Sequence, residues 1–153
     1  MTNRHAVRSL NQLRVDELLS AIGARTPAPA SGAATAMTAA LAAALGELSA
    51  RYAGDHAGAE RARALAAELV ELGDADAAAY AAFMAERNEE TRAEIVRVPE
   101  EIARRADEVV ELALRAADCV SPSVAGDARA AVELARAAAA VARRLADLNL
   151  AGS

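Results

Sequence analysis

Apolar positions recur along most of this chain at steps of three and four, the spacing of an amphipathic helix, and no stretch alternates with the period of two that a half-buried strand needs. From Leu65 to Phe83 the residues Leu65, Leu69, Leu72, Asp76, Tyr80 and Phe83 fall on one helical face, which places a carboxylate inside an apolar stripe. A second run repeats the arrangement with Asp127, Ala131, Leu134, Ala138, Val141, Leu145 and Leu148. An unpaired buried carboxylate is costly, so two acids aimed at a core must be hydrogen-bonded, protonated or used. The pattern therefore predicts that the third and last long helices turn Asp76 and Asp127 toward one shared, partly dry space.

Breaks between the periodic runs set the element boundaries. A short leading helix is predicted over Val15 to Ile22, with Asp16 and Glu17 in the opening turn where acids suit the helix dipole, and Gly23 offers its exit. Thr26-Pro27-Ala28-Pro29-Ala30-Ser31-Gly32 cannot continue that helix, because proline lacks an amide donor and restricts the residue before it. Long helices are predicted from about Ala33 to Tyr52 and from Ala59 to Asn88, separated by Gly54-Asp55-His56-Ala57-Gly58. Pro99 begins or kinks a further helix running to Ala117, with Ile102, Val109, Leu112 and Ala116 on its inner side. The last helix spans Val124 or Asp127 to Leu148, after Ser121-Pro122-Ser123. The expected fold class is all-α, one domain over residues 1–153, a bundle of four long helices plus a short N-terminal one.

Composition adds a constraint on assembly. The 153 residues are 54% hydrophobic but only 2% aromatic, and most of the apolar content is alanine. Alanine favours helices and lets their backbones approach closely, yet buries little area per residue, so the core is thin and at least a dimer is expected. The formal charge is −5, with 17 basic residues, all arginine, against 22 acids, and the arginines are interleaved with glutamates. Lysine Schiff-base chemistry and a lysine-centred phosphate cradle are excluded, and the charge pattern argues against nucleic acid. Cys119 reads as a small buried thiol at a helix end, suited to a reducing cytoplasm. His5 and His56 lack any metal-ligand spacing, so no metal is expected. The polar start from Met1 to Gln12 has no export signal, and the apolar run Ala33 to Leu48 reads as a buried helix, so no membrane partner is expected.

Each candidate site residue has a plain reading beside a functional one. Asp76 either pairs with an arginine from another helix or sits in a cleft where low solvation tunes it to move protons or hold a cation. Tyr80, one turn on, supplies a hydroxyl or stacking face, or is a core tyrosine. Asp127 is either a helix-start acid or a second carboxylate in the cleft. Asn149 caps, binds ligand or faces water. The Pro29-to-Gly32 loop is a stiff connector, or it presents the first amides of the following helix to an anionic group, with Ser31 and Gly32 at the mouth.

The order of these pieces resembles a known family. Val15-Asp16-Glu17-Leu18-Leu19, then Arg25-Thr26-Pro27-Ala28-Pro29-Ala30-Ser31-Gly32-Ala33 and a long alanine helix, resembles the start of the cyclodeaminase and methenyltetrahydrofolate cyclohydrolase family, which includes the C-terminal half of formiminotransferase-cyclodeaminase. Asp74-Ala75-Asp76-Ala77-Ala78-Ala79-Tyr80 looks like its acidic segment, Val98-Pro99-Glu100 like its valine-proline entry, Gly126-Asp127 like its serine-aspartate helix start, and Leu148-Asn149-Leu150 like its ending. The chain departs from the family pattern where a proline, three glycines and a serine are usual and Pro29-Ala30-Ser31-Gly32-Ala33 stands. A leucine-proline-lysine segment is absent, and Leu145 replaces the first of two asparagines.

The resemblance implies a helical homodimer that binds a tetrahydrofolate derivative between helices as its substrate. Such proteins close formimino-tetrahydrofolate with loss of ammonia or open the methenyl ring with water, and need no metal or redox cofactor. It makes Asp76 and Asp127 the catalytic candidates, and Pro29, Ser31, Gly32, Tyr80 and Asn149 the folate-binding ones, in a cytoplasmic one-carbon enzyme, a lyase or a hydrolase. The alternative is a noncatalytic dimeric helical module, derived from that family, that binds a protein partner or another small molecule.

Overall fold

The computed structural model describes residues 8–152, and His5 lies outside them. The described residues form a short 3-10 turn at Leu10–Gln12 and five α-helices: α1 (Val15–Gly23), α2 (Ser31–Tyr52), α3 (His56–Ala85), α4 (Glu89–Ala117) and α5 (Pro122–Ala151). No strand occurs among them, as the periodicity predicts.

Three tight connections dictate the topology. At the α2–α3 turn Gly54 takes φ +74°, the left-handed conformation glycine adopts freely, and lets Asp55 N–H return 2.9 Å to the Ala50 carbonyl. Asp55 then caps α3 by accepting from Gly58 N–H at 2.8 Å. Between α3 and α4, Asn88 accepts from Thr91 N–H at 2.9 Å while its own N–H donates to Thr91 Oγ1 at 3.2 Å, a reciprocal cap. Ser121 and Pro122 open α5, with proline at a first-turn position where its missing N–H costs nothing. Connections this short make successive long helices antiparallel. One end of the bundle therefore gathers the start of α2, the end of α3, the start of α4 and the end of α5.

In cross-section α2 and α4 pack on each other and on both remaining long helices, and α3 and α5 occupy the other two corners. The α2 face at the centre is nearly all alanine: Ala33, Ala36, Ala39, Ala42 and Ala43 are fully buried. Bulk comes from Leu65 and Leu69 of α3 and Val98, Ile102 and Val109 of α4. By length and composition α2 could cross a membrane, but 56% of its most apolar window is buried in the bundle, which uses its apolar character internally. Gly73 of α3 lets that helix lie close to α2, because a Cβ there would meet Leu10 Cδ1 at 2.8 Å and Ala36 Cβ at 3.3 Å. Leu10 is held in place from the neighbouring residue: Asp74 accepts from Leu10 N–H at 2.9 Å and from the Ser9 hydroxyl.

Three sequence expectations change. Helix α4 begins at Glu89, so of the two roles expected for Pro99 the helix start is excluded: the Asn88 cap and the acids Glu89 and Glu90 start the helix earlier and leave Pro99 inside it. Helix α5 does not bury the stripe through Leu134, Val141 and Leu148, which are 39%, 44% and 60% exposed. Its inner face is Ala128, Ala131, Val132, Ala135, Ala138, Ala139, Ala142 and Ala146, since small side chains allow the close approach to α2 and α4. Cys119 is exposed in the α4–α5 turn rather than buried.

Candidate functional site

The end of the bundle that collects the α2 and α4 starts with the α3 and α5 ends contains a cavity of about 230 Å³. Its wall takes Pro27, Ala28 and Ala30 from the loop, Ser31 and Gly32 from α2, Asp76 and Tyr80 from α3, Ile95 from α4, and Leu145 and Asn149 from α5. All four long helices contribute. Of the residues singled out from sequence, Ser31, Gly32, Asp76, Tyr80 and Asn149 are brought together here.

Pro29 and Asp127 are not among the lining residues. The expectation that Asp127 shares a cleft with Asp76 is corrected by the helix it stands on. Asp127 lies in the second turn of α5 and Asn149 in the last, which puts them about 33 Å apart along the axis at about 1.5 Å of rise per residue. Asp76 and Asp127 are both partly enclosed, but at opposite ends of the bundle.

Asp76 and the start of α2 make the closest contact of the site. A Cβ built on Gly32 would collide with both carboxylate oxygens of Asp76, so only glycine permits this seating. The first hydrogen bond of the α2 ladder runs from Ala34 N–H to the Ala30 carbonyl at 3.0 Å, which leaves the amides of residues 31–33 outside the ladder. Ala30 caps the helix with no side-chain acceptor. The carboxylate thus sits beside the positive end of an uncapped helix.

The arginine partner that the plain reading gives Asp76 is absent among the described residues. Arg61 forms a two-pronged pair with Glu108 at 2.6 and 2.8 Å and reaches Glu68 at 2.7 Å; Arg105 also reaches Glu68, at 2.6 Å. These pairs join α3 to α4 at partly exposed positions, and the Arg61 guanidinium holds the Glu68 and Glu108 carboxyls below the usual carboxylate range. Asp76 makes no hydrogen bond or ion pair among the described residues, and burial pushes its carboxyl above the ordinary value. Among the described residues no basic side chain lines the cavity, so they offer one negative or proton-carrying group, a phenol and the outward amides of α2. Such a set suits a planar cation or a proton relay. Among the described residues no cluster of His, Cys, Asp or Glu could hold a metal ion.

Ile95 and the loop residues Pro27 and Ala28 were not singled out from the sequence. Ile95 carried a readable signal, because Pro99 four residues later cannot donate to its carbonyl. Asn149 Nδ2 fills that place, donating to the Ile95 carbonyl at 2.6 Å.

Known proteins share this outline. Residues 14–153 match the family model described as formiminotransferase-cyclodeaminase. The fold is similar to the crystal structure of formiminotetrahydrofolate cyclodeaminase from Thermotoga maritima, with a TM-score of 0.82 and 23% sequence identity, over 93% of this chain and 80% of that one. At that identity the likeness concerns the fold. No curated protein gives a significant match.

The burial of Asp76 sets the sign of a stability effect. Its raised carboxyl means that the folded protein binds the proton more tightly than the unfolded chain, so this site's contribution is full below pH 3.8, the ordinary value, and is lost as pH rises through the folded one. Asp76→Asn removes the charge without changing the shape. At pH 7 the variant is expected to melt at a higher temperature than the parent, with the difference closing as pH falls toward 3.8. Thermal unfolding across that range checks this, and a less stable variant at neutral pH contradicts it.

Proposed function

The chain belongs to the formiminotransferase-cyclodeaminase family, and from that premise we propose that it is a folate-dependent one-carbon enzyme of the cyclodeaminase type, acting in the cytoplasm. The observation that carries this reading is the largely enclosed carboxylate of Asp76 against Gly32, with no partner and no basic cavity-lining side chain among the described residues. A methenyl-tetrahydrofolate is itself an amidinium cation, and its formimino precursor becomes one on protonation. Either is the charge complement of this site.

In ring closure the folate N10 lone pair adds to the formimino carbon, and the imine nitrogen gains protons until the C–N bond to it breaks and ammonia leaves. The carbon then bridges N5 and N10 as the methenyl cation. Asp76 takes the proton from N10, returns it to the departing nitrogen, and as a carboxylate stabilises the cation that forms. Burial favours this use, since a carboxyl held above its ordinary range exchanges protons more readily near neutrality. Tyr80 provides a flat face at the cavity, and the amides at the start of α2 provide donors. No metal or redox step is required, because the carbon is already electrophilic.

Hydrolytic opening of the methenyl ring is the same site run with water as nucleophile. A second reading, a folate-binding module without turnover, is favoured by the solitary position of Asp76, with Asp127 at the far end, and by Ala30 and Ala33 in the α2 start. Pairing of two copies is proposed with either reading. Leu41 and Leu48 of α2 and Leu134, Val141 and Leu148 of α5 are exposed apolar positions on adjacent helices, more than a thin alanine core leaves comfortably in water.

Turnover of formimino-tetrahydrofolate is followed by the rise of methenyl absorbance. The expected result is protein-dependent methenyl formation that Asp76→Asn slows by about 10²- to 10⁴-fold, the usual worth of a positioned acid–base group. Tight binding without turnover selects the module, and neither binding nor turnover removes the folate reading. Sedimentation equilibrium is expected to give a mass near twice the 15.7 kDa chain; a monomer at micromolar concentration contradicts the pairing.

A further inference from the structure

Proline inside a helix usually marks a defect that the fold must repair, and here the repair leads into the cavity. Pro99 lies inside α4 and is fully buried. It has no N–H, so the Ile95 carbonyl, one turn earlier, loses the donor that an ordinary helix would supply. A buried carbonyl without a partner is costly. The Asn149 side chain meets the need at 2.6 Å from 54 residues away. Because a carbonyl only accepts, the nitrogen of the carboxamide must face it, which fixes which way the Asn149 amide is turned. Ile95 and Asn149 both line the cavity that holds Asp76.

We propose that Pro99 acts as a positioning residue through Asn149: by vacating the Ile95 carbonyl it draws the carboxamide across from α5 and seats the last turn of α5 as a wall of the cavity. Helix α5 meets its neighbours through alanine methyls, which permit sliding more readily than interlocked large side chains do, and Leu148 and Leu150 around Asn149 are exposed. The directed hydrogen bond to a carbonyl that has lost its helical donor adds a fixed point for the last turn of α5, beside the Arg143–Asp107 ion pair two turns earlier. The role in ligand binding rests on the folate reading of the cavity; the seating of α5 does not.

The test is a double-mutant cycle on the full chain with Pro99→Ala, Asn149→Ala and the pair. Pro99→Ala favours the helix and restores an amide to the Ile95 carbonyl, so the variant folds. In urea unfolding, Asn149→Ala is expected to lower the folding constant about tenfold in the parent chain, as for a lost buried hydrogen bond, and less than about threefold in the Pro99→Ala background. Hydrogen exchange is expected to show lost protection at residues 145–151 in both single variants. Additive stability losses, or unchanged protection at those amides, overturn the seating. With methenyl-tetrahydrofolate as probe, both single variants are expected to bind about three- to tenfold more weakly, the pair no worse than the weaker single, with kcat changed less than KM. Coupled stability with unchanged affinity overturns the positioning role and leaves a purely structural bond. If the parent chain fails to bind the probe, the folate reading falls, while the unfolding cycle and the exchange data still decide whether Pro99 seats α5.

Discussion

The contact between Gly32 and the carboxylate of Asp76 is the constraint on which the site depends. It requires a residue without a Cβ on α2, a helix start that faces inward, and an α3 close enough to deliver an acid to it. Gly73 and the alanine face of α2 provide the last of these by letting the two backbones approach. The thin core that the composition implies is thus the means by which an acid is brought against a helix terminus. A bundle packed with larger side chains would hold these helices too far apart.

Two opposing effects act on that carboxylate, and their sizes decide which prevails. The start of α2 favours the ionised form, but a helix terminus is worth about 0.3–1 kcal/mol when exposed and up to about 2 when partly buried. Burial without a partner disfavours ionisation, since the enclosed carboxylate loses the water that would solvate its charge. Asp76 is mostly enclosed and has no partner among the described residues, so burial prevails and the carboxyl is pushed up. Arg61 and Arg105 are engaged by Glu68 and Glu108 where α3 meets α4, earlier along α3 than Asp76. That division of charge gives one face of α3 an ion-pair network and the other an isolated acid, a pattern more useful for binding a cation than for stability.

What local chemistry controls was legible in the sequence. Helix starts at Val15, near Ser31 and after Ser121 followed from proline, serine and acid placement, and the Leu65–Leu69–Asp76–Phe83 face was readable because its large side chains mark one direction. Alanine-rich α5 departs from its expected face for the opposite reason. Where the buried residues are the small ones, the large apolar positions report the outer face, so Leu134, Val141 and Leu148 suggested a stripe rotated away from the true core and carried Asp127 with it. The sequence leaves open whether Pro99 begins or interrupts a helix, because an internal proline needs a distant donor and Asn149 lies on another element. Five of the seven candidate site residues meet at one cavity, since the antiparallel topology puts the α2 start, the later part of α3 and the α5 end together. Tertiary rotation of a helix, unlike its boundaries, is not written in a single segment.

The most direct measurement is the titration of the Asp76 side-chain carboxyl by carbon-detected NMR on the folded chain, alone and with methenyl-tetrahydrofolate. A midpoint above the ordinary value of 3.8 is expected in the free protein, with a fall when the cation binds beside it. A midpoint at or below that value in the free protein would mean that Asp76 is solvated or paired, and would contradict the isolated acid from which the proposed chemistry follows.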